Sequence, residues 1–502
     1  MANGQPDVQE ALREILDSFE EVHGLGSLLD VRGTLKDIFE DEIEDGGVQL
    51  TLIDDHQEYH TLSQILRSLR ETIDNRDSGD SFLAQDLRSF IRLLDILAQD
   101  YDVSLMNPPY GSRNRMPPRM KEYLDSNYSY PAEFYINFLE VSDKITKEGG
   151  RIGMLSPRTF LFKHRDERFR KDFIGGEGSF DFLAEFGYDL IDNAMVGTAG
   201  TVIRSGGKPN PTGEFIRLHD VGGGDMERVF TEVLSGISSD IPRYYEVDLN
   251  EFSKVPGNTI CYSIPSEVRD LHDTNKKLDA DVAGLDAESI GYARQGVATA
   301  NNFRFLRSHW EVTDYSIFRP FATSSSDAWI LPPVTKTVAW REEGTRIKRH
   351  SPTIRTPNEF LYGQSGLTWT RAKRTGRRFG YFPPDGLFSG TSFLFVPKDK
   401  SILWELLAGV NSDLYHALFL SLTTERDWHG GVVGRIPWVG DIANNQELSN
   451  LSKKMYAIKK QERKSDPISP HYSGAALLPD VYKNNLFYAH PHGEQGNAVL
   501  SE

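Results

Sequence analysis

Hydrophobic positions fall at helical spacing through the first hundred residues. Val8, Leu12, Ile15 and Phe19 form one such series, Leu62, Ile65 and Leu69 a second, and Phe90, Leu93 and Leu97 a third. A polar break at Asn75–Asp80 separates the last two. The pattern changes at Tyr101-Asp-Val-Ser-Leu-Met106, a short apolar run that reads as a strand. Phe134, Phe138 and Val141 then share one helical face, and Glu148-Gly-Gly leads through a turn into a buried strand ending at Pro157. Strand-like runs alternate with helices over residues 101–220, as they do in an α/β sheet, and Gly206–Gly213 is a turn between two late strands. Residues 221–285 read as a helical, acidic connector interrupted by Pro242, Pro256 and Pro265. Residues 286–440, rich in Trp, Phe, Tyr and Gly, read as mixed α/β with many turns. Residues 441–502 hold one helix (Glu447–Lys464) and a polar tail expected to be disordered after His490.

A chain of 502 residues is long enough for two or three domains and a sizeable core. No apolar run approaches a membrane span and the first residues are polar and acidic, so a cytoplasmic protein without a membrane role is expected. The single Cys261 excludes a disulfide framework and a cysteine-based zinc site, and the 13 His show no close pair at metal-ligand spacing. Charge alters the picture more. The net −17 is concentrated in residues 1–100, where 23 Asp/Glu face 8 Lys/Arg. Residues 336–378 reverse the sign, with 11 Lys/Arg against Glu342, Glu343 and Glu359. A positive segment in an acidic protein is an electrostatic footprint for nucleic acid. Trp369, Phe379, Tyr381 and Phe382 interleave with its basic residues and favour a recognition surface, whereas a solvated charged loop is the plainer reading. Arg346, Lys348, Arg349, Arg371, Lys373, Arg374, Arg377 and Arg378 are the candidate DNA contacts.

The strand at Tyr101–Met106 runs directly into Asn107-Pro108-Pro109-Tyr110. Asn-Pro-Pro is a good loop former on its own. An apolar strand ending in Asn-Pro-Pro-Tyr resembles the catalytic loop of enzymes that methylate the exocyclic amino group of a nucleobase. With the pieces that follow in order (Gly111–Met116, Pro131–Glu140, Glu148–Pro157, Tyr188–Ile191 and Gly200–Ile203), the chain resembles the C-terminal half of the catalytic domain of adenine-specific DNA methyltransferases. Its nearest likeness is to the BREX phage-defence and fused restriction–modification types. Ala293–Thr299, Asn302–Leu306, Leu367–Arg371, Gly390–Phe395, Leu406–Ser412 and Gly434–Pro437 are similar to the target-recognition part of that family, so the resemblance spans roughly residues 100–440.

The resemblance implies a fold and a chemistry. The fold is α/β: a partial Rossmann-like methyltransferase domain, with a helical N-terminal region (1–100) and a mixed α/β target-recognition domain (286–440). The cofactor is S-adenosyl-L-methionine, and the substrate is adenine flipped out of double-stranded DNA. The Asn107 side-chain carbonyl and the Pro108 backbone carbonyl accept hydrogen bonds from the adenine amino group, and the two prolines stiffen the loop. Tyr110 stacks on the base, with Tyr188 expected on its other face. Glu133 falls at a polar position near the loop and is expected to touch the cofactor. As a carboxylate at a helix start it has an equally ordinary reading. One departure matters: residues 1–100 hold no glycine-rich turn after a strand, since Gly24-Leu-Gly26 sits between helix-like segments and Gly46-Gly47 precedes an apolar run. The chain is therefore expected to be the C-terminal part of a larger enzyme. It would need a partner protein bearing the N-terminal half and would work beside other defence-system proteins. The alternative is a catalytically inactive DNA-recognition subunit.

Overall fold

The computed structural model describes residues 99–473 apart from 178, 189, 191–195, 207–210, 238–241, 275, 324–328, 373–376, 425–426 and 443–444, together with isolated positions 28, 89, 92, 93, 96 and 97. Most of the expected N-terminal helical region thus lies outside the described residues, as do the glycine pairs at 24–26 and 46–47 and the tail beyond 473. The chain divides into two compact units, Met1–Asn250 and Glu251–Glu502.

The first unit is built on a six-stranded sheet of order β1-β2-β4-β3-β5-β6. Its strands are β1 (Tyr101–Met106), β2 (Thr146–Pro157), β3 (Ser179–Gly187), β4 (Thr198–Arg204), β5 (Thr212–Arg217) and β6 (Tyr244–Asp248). β1 runs parallel to β2 and β3 parallel to β5, while β4 lies antiparallel between β2 and β3. The parallel β1–β2 pair requires a crossover, supplied by helices α1 (Pro118–Asn127) and α2 (Phe134–Ile145). α2 covers the β1 side chains that point its way: Ser142 Oγ meets Met106 Sδ at 3.5 Å, and Ser104 hydrogen-bonds Thr146 at 2.7 Å. Val103 and Leu105, which alternate with them, stay exposed. A third helix, α3 (Met226–Leu234), packs through Met226 on Ala184, Ile216 and Leu218.

Three expectations change here. α2 forms, but its buried residues include Tyr135, Ile136 and Leu139, while Phe134 and Phe138 are only half-buried. Phe134 lies against Gly111 instead, so closely that a Cβ there would come within 2.8 Å of the ring. The late strand expected at Tyr188–Ile191 is Ser179–Gly187, ending one residue before Tyr188. The helical connector expected over 221–285 includes strand β6, paired antiparallel with β5, because Tyr-Tyr-Glu-Val-Asp alternates and buries Val247.

The second unit contains two four-stranded sheets. One has the order β10-β12-β11-β15, the other β14-β13-β16-β9, and a short ladder joins β7 to β8. The strands are β7 (Lys276–Lys277), β8 (Glu288–Ser289), β9 (Gly291–Arg294), β10 (Leu306–Ser308), β11 (Phe318–Ala322), β12 (Lys336–Ala339), β13 (Gly366–Thr370), β14 (Phe379–Phe382), β15 (Leu387–Phe388) and β16 (Ser392–Pro397). Every residue of β13 and β16 is buried. A strand covered on both faces loses its alternation and reads as a continuous apolar run. The C-terminal helix spans Gln446–Arg463, close to the expected Glu447–Lys464, and its N-cap Asn445 accepts from Glu447 and Leu448 N–H.

A buried histidine ties this unit to pH. His272 is 3% exposed, with Nε2 2.7 Å from Ser421 Oγ. Because the Ser421 hydroxyl donates to the Leu418 carbonyl, Nε2–H is the donor to Ser421. Burial, reinforced by Lys277, lowers the ring's pKa to about 3. The unfolded ring takes a proton near its ordinary pKa and the folded ring does not, so stability is full above about pH 6.5 and falls as pH drops toward the folded pKa. Urea unfolding between pH 7 and 4 should show this loss, and His272→Gln should remove about one proton from the uptake on unfolding at pH 5. An unchanged proton uptake in the variant would mean the ring is charged in the folded state.

Candidate active site and nucleic-acid surface

Asn107, Pro108, Pro109 and Tyr110 sit at the carboxyl end of β1, the edge of an open α/β sheet where ligands bind. Pro108 is buried, Asn107 and Pro109 are exposed, and Tyr110 is half-buried with its hydroxyl directed to the Leu155 carbonyl at 3.5 Å. Burial raises the Tyr110 pKa, so the phenol stays neutral. The loop is anchored at its far end. Phe134 N–H donates to Gly111 O at 3.0 Å, Arg113 N–H donates to Ala132 O at 3.1 Å, and Ser112 bridges Glu133. Two prolines at one end and a backbone clamp at the other stiffen the loop that carries Asn107.

Glu133 is 4% exposed, and two cations engage its carboxylate: Lys163 Nζ at 3.0 Å and Arg165. Both cations come from the segment after β2. Glu133 therefore cross-links that segment to the clamp behind Asn107, a use of its carboxylate different from the expected cofactor contact. A neighbouring buried group is Asp166, whose pKa is raised chiefly by burial, against the opposing pull of Lys163, Arg165 and Arg170.

Beside Asn107 lies a hollow of about 510 Å³, lined among others by Leu105, Leu155, Phe182, Phe186 and Val202. Among the described residues its polar side chains are Asn107 and Thr201, and none of those that line it is a carboxylate. The ribose hydroxyls and the ammonium group of S-adenosylmethionine need charged or strongly polar partners, so these residues do not fit that cofactor as a complete site.

Tyr188 is at the end of β3, 36% exposed. Gly187 before it has φ +80°, and a Cβ would come within 2.8 Å of the His219 backbone, so the turn into Tyr188 requires glycine. An ion pair beneath it was not legible in sequence: Arg158 after β2 meets Glu185 of β3 at 2.6 Å, with His219 Nδ1 3.7 Å away. Burial keeps the His219 pKa low against the pull of Glu185.

The basic segment of the second unit separates into distinct environments. Arg346, Lys348 and Arg349 are exposed on and just after the short helix Thr345–Lys348, with Lys348 paired to Glu359 at 2.7 Å. Arg371 is half-exposed and held by Asp427 at 2.6 Å, and Arg377 donates to the Asn411 carbonyl at 2.7 Å. Lys373 and Arg374 lie outside the described residues. Arg378 corrects the expectation: it is 0% exposed, its guanidinium 3.6 Å from the Trp428 ring centroid, so it belongs to the core and offers nothing to a phosphate. The interleaved aromatics are core as well. Trp369, Phe379 and Phe382 are fully buried, and Tyr381 stacks on Trp404 at 4.9 Å.

Residues 33–189 match the family model of the Eco57I restriction-modification methylases. Over 426 residues the chain is 22% identical to the adenine-specific methyltransferase BrxX of Escherichia coli O9:H4 (strain HS), covering 81% of this chain and 33% of that protein. It is 20% identical over 425 residues to the adenine-specific methyltransferase PglX of Lacticaseibacillus casei (strain Zhang), covering 80% and 34%. The chain thus spans about a third of the length of these curated relatives. Among solved structures, a nuclease-deletion mutant of the Type ISP restriction-modification enzyme LlaGI bound to a DNA substrate mimic is similar at TM-score 0.45 and 10% identity, over 78% of this chain and 37% of that one.

Proposed function

We propose, from its match to the Eco57I restriction-modification methylase family over residues 33–189, that this chain is the adenine-positioning and DNA-recognition part of a DNA adenine-N6 methyltransferase acting in phage defence. The observation that carries the reading is the Asn107–Tyr110 loop, placed at the carboxyl end of β1 and clamped by the backbone of 132–134. A flipped adenine stacks on Tyr110. Its amino group donates hydrogen bonds to the Asn107 side-chain carbonyl and the Pro108 carbonyl. Those two acceptors draw the nitrogen toward tetrahedral geometry and aim its lone pair away from the ring. They act most strongly as the nitrogen rehybridises, which is where catalysis gains. Tyr188 closes the other side of the base.

The expected methyl donor is S-adenosylmethionine. The described lining of the hollow beside Asn107 lacks the polar groups to hold it, which supports a partner chain that supplies the glycine-rich turn and the ribose-binding carboxylate. Calorimetric titration of the purified chain with S-adenosylmethionine should then give weak or no binding. Tight stoichiometric binding would place a complete cofactor site in this chain. The same hollow favours a second reading, a catalytically inactive recognition subunit. Sequencing that detects methylated adenine, in the source strain with and without the gene, separates the two. Loss of a methylated motif on deletion is expected, and an unchanged methylation map would overturn the enzymatic reading.

A further inference from the structure

Phe303 is 96% exposed. A phenylalanine so fully in water gains nothing from the fold that carries it. It occupies the short helix Asn302–Phe305, on a tip that is rigidly built. Ala300 before it is left-handed (φ +52°), and Thr299 bonds the Asn302 side chain. The Asn301 side chain accepts from Arg304 N–H at 3.1 Å, and the Arg307 guanidinium donates to the carbonyls of Phe303 and Leu306 at 3.1 and 2.7 Å. Phe305, two residues on, is sunk into a core with Val338, Trp340 and Ile347, and its ring meets His350 edge-on at 5.2 Å. The exposed ring is therefore presented from a base fixed by core packing.

The surroundings of the tip are cationic. Arg304 and Arg307 follow the ring in sequence and are exposed. Arg346 and Arg349 are exposed on either side of Ile347, which shares the core of Phe305. Arg355 is exposed on a bridge to Ala298, at the start of the same tip. None of these five is paired with a carboxylate among the described residues. An apolar wedge on a tip whose own residues and packed neighbours carry exposed arginines matches duplex DNA, whose base steps accept an inserted ring and whose phosphates take the guanidinium groups.

We infer that Phe303 is a wedge that enters the base stack of duplex DNA while Arg304, Arg346 and Arg349 hold the flanking phosphates. This rests on the DNA-recognition reading above and adds to it the element that deforms the duplex. Full insertion of a rigid side chain unstacks a step and bends the helix, so sequence preference arises from which steps open easily.

The test uses the full chain and the duplexes it selects from a random-sequence pool. Phe303→Ala should weaken binding about tenfold. The slope of log affinity against log salt should not change, because an uncharged ring releases no counterions. Phe303→Trp should restore affinity. The double change Arg346→Glu and Arg349→Glu should instead flatten the slope by about 0.9 for each phosphate no longer neutralised. With 2-aminopurine placed along the selected duplex, the unaltered chain and Phe303→Trp should brighten one step, and Phe303→Ala should not. Because the side chain is solvent-exposed, folding of the variant is not at issue. Equal affinity and equal fluorescence for Phe303→Ala would overturn the wedge and leave the ring as a surface for another protein, with the DNA reading intact. Failure of the unaltered chain to select any duplex would overturn both.

Discussion

Asn107→Ala in the source strain is expected to reduce adenine methylation by about 10²–10³-fold. DNA affinity should stay within a few-fold of normal. On the proposed mechanism the Asn107 side-chain carbonyl bears on the nitrogen as it rehybridises, so its loss falls on the rate and much less on ground-state binding. Asn107 is exposed and borders the hollow beside the sheet, so the truncation leaves no buried cavity and the fold should be unaffected. Single-turnover methylation of purified enzyme with adenine-specific detection is the check. Near-normal methylation by Asn107→Ala would remove the loop from the chemistry, whatever role the rest of the chain retains.

Arg378→Glu should unfold the second unit, a different result from a simple loss of DNA binding. Arg378 is fully enclosed, lies 3.6 Å from the centroid of Trp428 and donates to the Arg371 carbonyl at 3.3 Å. A carboxylate there would face the negative face of the indole and a carbonyl oxygen in a buried site, at a cost of about 4 kcal/mol. Urea denaturation followed by tryptophan fluorescence should show the shift, whereas Arg346→Glu should leave the midpoint nearly unchanged because its side chain is exposed. If Arg378→Glu kept full stability and lost only DNA affinity, the buried placement of Arg378 would be wrong.

Periodicity was a good guide where one face of an element meets water. The C-terminal helix and the strand leading into Asn107 were both legible for that reason. It was a poor guide to β6, where an acidic, proline-broken context masked a short alternating strand. It is also a poor guide at α2, where the face shared by Phe134, Phe138 and Val141 is only partly buried and the Phe134 ring lies against Gly111. The basic cluster shows the largest gap. Arg346, Arg349 and Arg378 look alike as letters, yet two are in water and one is enclosed by tryptophan. Phe303 and Phe305 are separated by a single residue, and one is 96% and the other 2% exposed.

By itself, the sequence determined which residue types the candidate loop offers. An Asn, two prolines and a Tyr directly after a strand are the residue types that the proposed mechanism needs, a stiff loop with acceptors beside a stacking face, and they stand in that order in the chain. It also determined the α/β character of residues 101–220, because strand and helix periods are local. Tertiary structure alone decided what each charged or aromatic side chain is for. The Lys163 and Arg165 partners of Glu133 lie 30 and 32 residues away along the chain, and the Glu185 partner of Arg158 is on another strand. Burial is set by what packs across from a residue and not by its neighbours in sequence, so the same basic and aromatic letters became core on β13 and β14 and surface around Phe303.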